Sequence, residues 1–161
     1  MDVLMWLQHT SVATWVREST SLFSFPGILL LHTIGMALVV GIAAAIDLRI
    51  LGFAPALPLA PMERFLPVLW TGFWVNAVTG AVLFAVDATA KATNPDFWVK
   101  MVFIALAVIN VRLMQKRVLR DPDLDKGPLS FQAKVLAGTS LLFWMGAIVA
   151  GRLLAYVGTV G

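Results

Sequence analysis

Residues 23–46 read FSFPGILLLHTIGMALVVGIAAAI, a run without a single charged side chain. A helix needs about 20 mostly apolar residues to cross the hydrocarbon core of a bilayer, which is about 30 Å thick. Three further windows of this kind lie at about 65–86, 97–114 and 131–156. The sequence therefore predicts an all-α integral membrane protein, built as a four-helix bundle.

The composition excludes most other classes of protein. Of the 161 residues, 60% are hydrophobic and 13% are charged, whereas a soluble domain is about 45–50% apolar and about 25% charged. The chain has no cysteine, which excludes disulfides and thiolate metal sites. It also lacks a phosphate-binding loop, a nucleophile elbow and a zinc-protease motif, and no catalytic residue is predicted.

Residues 1–20 precede the first span and lack the unbroken apolar run of a signal peptide. Wound as a helix, they place Met5, His9, Val12 and Val16 on one side. This pattern predicts an amphipathic interfacial helix lying along the membrane surface. The chain thus divides into that helix at 1–20 and the transmembrane bundle at 21–161.

The orientation in the membrane follows from the distribution of Lys and Arg, which are enriched in cytoplasmic loops. Eight of them lie on the side of the first and third loops and four on the other side. They are Arg49, Arg64, Arg112, Lys116, Arg117, Arg120, Lys126 and Lys134 on the first side, and Arg17, Lys91, Lys100 and Arg152 on the other. We expect a bacterial inner-membrane protein with both termini outside. A net charge of +3 is explained by these loops, and no nucleic acid is expected as a partner.

His32 is the clearest candidate for chemistry, because it lies inside the first predicted span. Polar groups within a bilayer are costly and often mark functional sites. Gly35, about one turn further, leaves space for a flat bulky group or for a neighbouring helix. Two roles are open for His32, that of a metal ligand and that of a neutral imidazole hydrogen-bonded across the bundle.

His9 is the other histidine, and the predicted topology places both in the outer half of the membrane. Haem iron takes axial nitrogen ligands, and a porphyrin fits between apolar helices. The leading hypothesis is therefore haem b, with electron transfer to or from a quinone or redox partner. Lys100 and Arg152 would bind the propionates or the region of a quinone headgroup. Alternatively, these long side chains would reach the membrane surface.

Two further hypotheses remain open. Met5 lies four residues before His9, and Met36 lies four residues after His32; paired thioether and imidazole groups suit Cu(I). A copper-handling membrane protein is the first alternative. Small residues at four-residue spacing, such as Ala77 and Ala81, favour close helix packing or a homo-oligomer. The second alternative is a cofactor-free structural subunit of a larger membrane complex.

Several motifs extend over most of the chain: LHTIGMALVVG at 31–41, DLRILG at 47–52, TGAVLFA at 79–85, NPDF at 94–97 and GRLLAY at 151–156. In these motifs the chain resembles the DUF6644 family of small bacterial membrane proteins with four helices. The resemblance implies the fold and no particular activity. Members often carry a histidine near the end of the third span, where this chain has Gln115. At the level of fold, the chain is also similar to membrane domains linked to copper resistance and to small four-helix haem b proteins.

Overall fold

A computed structural model describes residues 2–121, 124–125 and 127–157, so the predicted outer boundaries at residues 1 and 161 lie outside it. Four long helices dominate the structure. They are α3 (Phe25–Ile50), α4 (Leu66–Val86), α6 (Pro95–Met114) and α7 (Phe131–Val157). Three short helices, α1 (Asp2–Gln8), α2 (Ser11–Glu18) and α5 (Ala88–Thr93), complete the α-helices of the described residues. The four predicted spans are confirmed.

Each long helix is apolar enough to cross a membrane. The candidate spans are Phe25–Ile50, Ala60–Val86, Pro95–Leu119 and Phe131–Leu154, because a 3₁₀ helix at Ala60–Phe65 precedes α4 and a π-helical turn at Gln115–Leu119 follows α6. Large apolar side chains point outward, as at Val78, which is 61% exposed, and Leu142, which is 68% exposed. Such surfaces are stable in lipid and costly in water. The chain is therefore a multi-pass membrane protein.

The helices pack in the order α4, α3, α7, α6, with contacts between each adjacent pair. Most of the buried apolar side chains lie in the half of the bundle where α3 ends and α7 begins. They include Val39, Ala43, Ile46, Ile50, Leu69, Ala107, Val111, Met114 and Ala137. The opposite half, which contains His32, contributes fewer residues to this core.

The two ends of the bundle differ. At one end, here called the α1–α2 end, the two N-terminal helices lie against α4, and α1 also packs on α5. The Gln8 amide hydrogen-bonds the Thr89 hydroxyl at 2.8 Å. At the other, the long-loop end, the Asp125 carboxylate accepts hydrogen bonds from the backbone N–H groups of Leu59 at 2.8 Å and Ala60 at 2.9 Å. Asp125 thus joins the first long loop to the third.

The N-terminal segment differs from the single amphipathic helix that the sequence predicts. It forms two helices separated at His9 and Thr10. The Thr10 hydroxyl accepts a hydrogen bond from the Ala13 N–H, as an N-cap does, and donates one to the Leu7 carbonyl. This cap starts a new helix and changes the buried face. Ala13 and Val16 are buried, whereas Val12 is 57% exposed.

A candidate metal-ligand site around His32

Helices α3 and α4 approach each other closely at a pair of glycines. A Cβ atom added to Gly35 would lie 2.8 Å from the Gly72 carbonyl oxygen, and one added to Gly72 would lie 2.8 Å from the Leu38 Cβ. The two backbones are therefore in direct contact, which only glycine permits here. Of the two uses predicted for the space beside Gly35, the neighbouring helix takes it.

This contact positions His32 one turn earlier on α3. The Nδ1 atom of His32 lies 3.0 Å from the Asn76 carbonyl oxygen and 3.0 Å from the Thr79 Oγ1. The Asn76 side-chain amide donates back to the His32 carbonyl at 2.7 Å. The ring also lies against Gly80, where an added Cβ would be 3.0 Å from its Cε1. The imidazole is thus fixed at one edge by α4.

The hydrogen bonds of Nδ1 determine what the other ring nitrogen can do. A carbonyl oxygen only accepts, so Nδ1 carries the hydrogen and donates it to Asn76. Within the described ranges, no hydrogen bond to Nε2 of His32 is found, and the ring is partly exposed. In the neutral ring, Nε2 then holds a lone pair. Metal-ligating histidines have this arrangement, with one nitrogen bonded to a backbone carbonyl and the other free for the metal.

Lys100 points into the bundle at the same end. It is half-buried, and the end of its side chain lies 3.6–3.8 Å from the position of a Cβ on Gly151 of α7. Its ammonium group is close enough to interact electrostatically with His32 and with Lys91. A Cβ at this position would make an ordinary van der Waals contact with Lys100, so the lysine side chain packs against α7 at Gly151. Lys100 is therefore directed inward instead of extending along the outside of α6.

Lys91 adds a second cation that the sequence analysis did not single out as a site residue. Burial lowers the pKa of its ammonium group; the negative charge of Asp87 opposes this effect and the positive charge of Lys100 adds to it. The Lys91 ammonium donates to the Leu83 carbonyl at the end of α4. The signal for this role is its position four residues after Asp87, on a short helix between two spans.

These groups lie at similar depths. With a rise of about 1.5 Å per residue, His32 lies about 11 Å from the start of α3, Lys100 about 8 Å from the start of α6 and Thr79 about 11 Å from the end of α4. They therefore form one layer near the α1–α2 end, in which the positive charge of Lys100 acts on the His32 imidazole.

The other predicted site residues are more peripheral. His9 is exposed at the junction of α1 and α2, and no hydrogen bond joins it to His32 among the described residues. Met36 is half-buried one turn beyond His32. Arg152 is exposed and has an interaction partner. No group of three or more His, Cys, Asp or Glu side chains that could hold a metal occurs in the described part of the chain.

Sequence reasoning missed Asp47, which it treated as the end of the first span. Asp47 is 2% exposed and lies inside α3. The signal was present in the spacing, because Gly35, Val39 and Ala43 repeat every four residues on the buried face, and Asp47 is the next position.

The fold and this layer define a class, a multi-pass membrane protein that presents a histidine inside the bilayer. No family model matches the chain, and neither a curated protein nor a solved structure is found to be similar to it.

Proposed function

We propose that the protein binds haem b near the α1–α2 end, with His32 as an axial ligand, and transfers electrons to or from a quinone or a redox protein. The observation that carries this proposal is the anchored imidazole, whose Nδ1 is held by α4 and whose Nε2 has no partner within the described chain. When bound, haem supplies a site that takes up and releases one electron.

The donor set around His32 fits this group. The Nε2 lone pair is the ligand that haem iron takes from histidine, and its second-shell partner is a backbone carbonyl. Lys100, and Lys91 on the short helix α5, supply positive charge at the same end of the bundle, which would balance the carboxylates of the propionates. Arg152 near the end of α7 would add a third cation. His9, from the same chain or from a neighbouring copy, would supply the second axial nitrogen.

The membrane and the orientation of the protein in it are part of the same proposal. The α1–α2 end would face outward from the bacterial inner membrane, into the periplasm in a Gram-negative cell, because the long-loop end carries the larger share of Lys and Arg. The resemblance to the DUF6644 family is compatible with this assignment and adds no cofactor.

The test is an optical spectrum of protein purified from haem-replete cells. We expect a reduced-minus-oxidised spectrum of a b-type haem in the wild type and its loss in His32→Ala. Thr33→Ala is the matched control, since Thr33 is the adjacent exposed residue and its hydroxyl bonds only within α3, to Leu29. This variant keeps the spectrum. Circular dichroism shows whether each variant is folded.

Four outcomes would overturn the proposal. A folded wild type without absorbance at haem wavelengths would end it, as would a spectrum that His32→Ala leaves unchanged. Stoichiometric copper that is lost in Met36→Leu would assign the site to copper. Purification as a stable assembly with other subunits, free of pigment and metal, would indicate the structural role.

A further inference from the structure

A second polar site lies at the opposite end of the bundle, around Asp47. Its carboxyl group is inside the span, about 5 Å from the end of α3 at a rise of about 1.5 Å per residue. The side chain is 2% exposed. The Ser140 hydroxyl of α7 hydrogen-bonds the carboxyl, but the Oδ2 atom is buried with no partner among the described residues.

Within residues 2–121, 124–125 and 127–157, no cation is found beside this carboxyl. It lines a small cavity with apolar side chains that include Ile46 of α3, Leu69 of α4, and Val111 and Met114 of α6. Five basic residues near this end of the bundle are exposed: Arg64, Arg112, Lys116, Arg117 and Lys134.

Charged residues near this end of the bundle interact with other groups. Arg49, on the same helix, donates to the carbonyls of Pro55 and Leu57 in the first long loop. The Arg112 guanidinium lies 4.2 Å from the ring centroid of Trp70. Glu63, the acidic residue that precedes α4, lies 3.6 Å from Arg120. Among the residues that the structure describes, the Asp47 carboxyl therefore has a hydroxyl as its polar partner and no counter-charge.

The centre of a water molecule can occupy a volume of about 10 Å³ in this cavity. This volume is large enough for one water. Only two of the side chains that line it, Asp47 and Ser140, carry oxygen atoms. A hard cation such as Mg²⁺ or Ca²⁺ takes six or more oxygen ligands, so this lining is too poor in oxygen for a metal. A proton needs only the carboxyl.

We propose that Asp47 is a proton-binding site within the membrane, a neutral carboxylic acid that shares its small cavity with one water and accepts a hydrogen bond from Ser140. A carboxylate buried without a counter-charge is strongly disfavoured in a low-dielectric interior, whereas the neutral acid can donate its O–H to the water. This site is separate from the His32 layer and does not depend on haem.

Infrared spectroscopy of the protein in lipid tests the site directly. A neutral carboxylic acid gives a C=O stretching band above the amide band, and exposed carboxyls are ionised at about pH 7 because their pKa is about 4. We expect this band in the wild type at that pH and its loss in Asp47→Asn, which preserves the shape of the neutral acid. In Ser140→Ala the band remains and shifts to higher frequency, because a hydrogen bond to the carboxyl is lost.

Asp87→Asn is the matched control, since Asp87 is exposed at the other end of the bundle, and this variant keeps the band. The proposal is overturned if the folded wild type shows no such band at about pH 7, or if Asp47→Asn retains it. A band that disappears when Na⁺ replaces choline at constant pH would assign the cavity to a cation and would overturn it equally.

Discussion

Thr79 is the side chain that most closely supports His32, with its hydroxyl 3.0 Å from Nδ1. Thr79→Val removes this contact and retains the size of the side chain. If His32 binds haem, we expect the variant to weaken haem affinity by about 10–100-fold, which is typical of second-shell changes at metal sites. Titration of haem into the apo-protein measures the effect. In the control Thr71→Val, the lost hydroxyl bonds only to Pro67 within α4; equal affinities of the two variants would contradict this role.

Gly35 and Gly41 of α3 can be compared directly, because a methyl group added at each would have different surroundings. A methyl group at Gly35 would meet the backbone of α4 at 2.8–2.9 Å, whereas nothing lies within 4 Å of one at Gly41. Gly35→Ala should lower the free energy of unfolding by about 1–3 kcal/mol, as overpacking does. Gly41→Ala should raise it by up to about 1 kcal/mol through helix propensity. Denaturation in mixed micelles measures both, and equal effects would contradict the close approach.

For single residues, the sequence indicates which ones are unusual, but it does not indicate what they contact. His32 stands out because a polar group in an apolar span is rare, and Gly35 because it is small. The partners of His32, Asn76 and Thr79, depend on the register between α3 and α4. No feature of either helix alone predicts that register. The burial of Asp47 differs in this respect, because its spacing from Gly35, Val39 and Ala43 places it on the same buried face of α3.

Among the connecting elements, Asp125 is the residue that ties the long loops together. The N–H groups of Ala60 and Leu59 lower the pKa of its carboxyl below 3.8. Because the pKa is lower in the folded state, the stabilisation is present above about pH 3.8 and is lost as the pH falls through the folded pKa. At neutral pH, Asp125→Asn should increase amide hydrogen exchange at Leu59 and Ala60 relative to the wild type.

Mass spectrometry at a series of pH values measures the ratio of the exchange rates of Asp125→Asn and the wild type at these two amides. The wild type should approach the variant only below pH 3.8, where its own carboxyl becomes protonated. The exposed residue Asp87 serves as the control, since Asp87→Asn should leave exchange in the first long loop unchanged. A ratio of one at neutral pH would show that Asp125 does not hold the loop.

The long helices are the elements that hydrophobic patterning predicts best. The second of them is predicted at about 65–86 and observed at Leu66–Val86, because Arg64 and Asp87 lie on either side of this apolar window. The short elements depend on local hydrogen bonds. The break at Thr10 and the π-helical turn after Met114 have no counterpart in the hydropathy of the sequence, so an extended amphipathic helix and an earlier end were predicted instead.

For the molecule as a whole, the proposed orientation places the α1–α2 end outside and the long-loop end in the cytoplasm. The chain has no cysteine, so single-cysteine variants report topology without background. We expect Thr20→Cys, in the exposed segment before α3, to react with an impermeant maleimide in intact spheroplasts. Ala56→Cys, exposed in the first long loop, should react only after lysis. The reverse pattern would contradict the orientation.

We infer that the bundle holds His32 with a hydrogen on Nδ1 and leaves the lone pair of Nε2 available to a metal. Nitrogen NMR of ¹⁵N-histidine-labelled, cofactor-free protein in lipid nanodiscs tests it most directly. Since the chain has two histidines, His9→Gln leaves a single imidazole. We predict a protonated Nδ1 and an unprotonated Nε2 in that ring. A hydrogen on Nε2, with or without one on Nδ1, would contradict this assignment of the ring hydrogen.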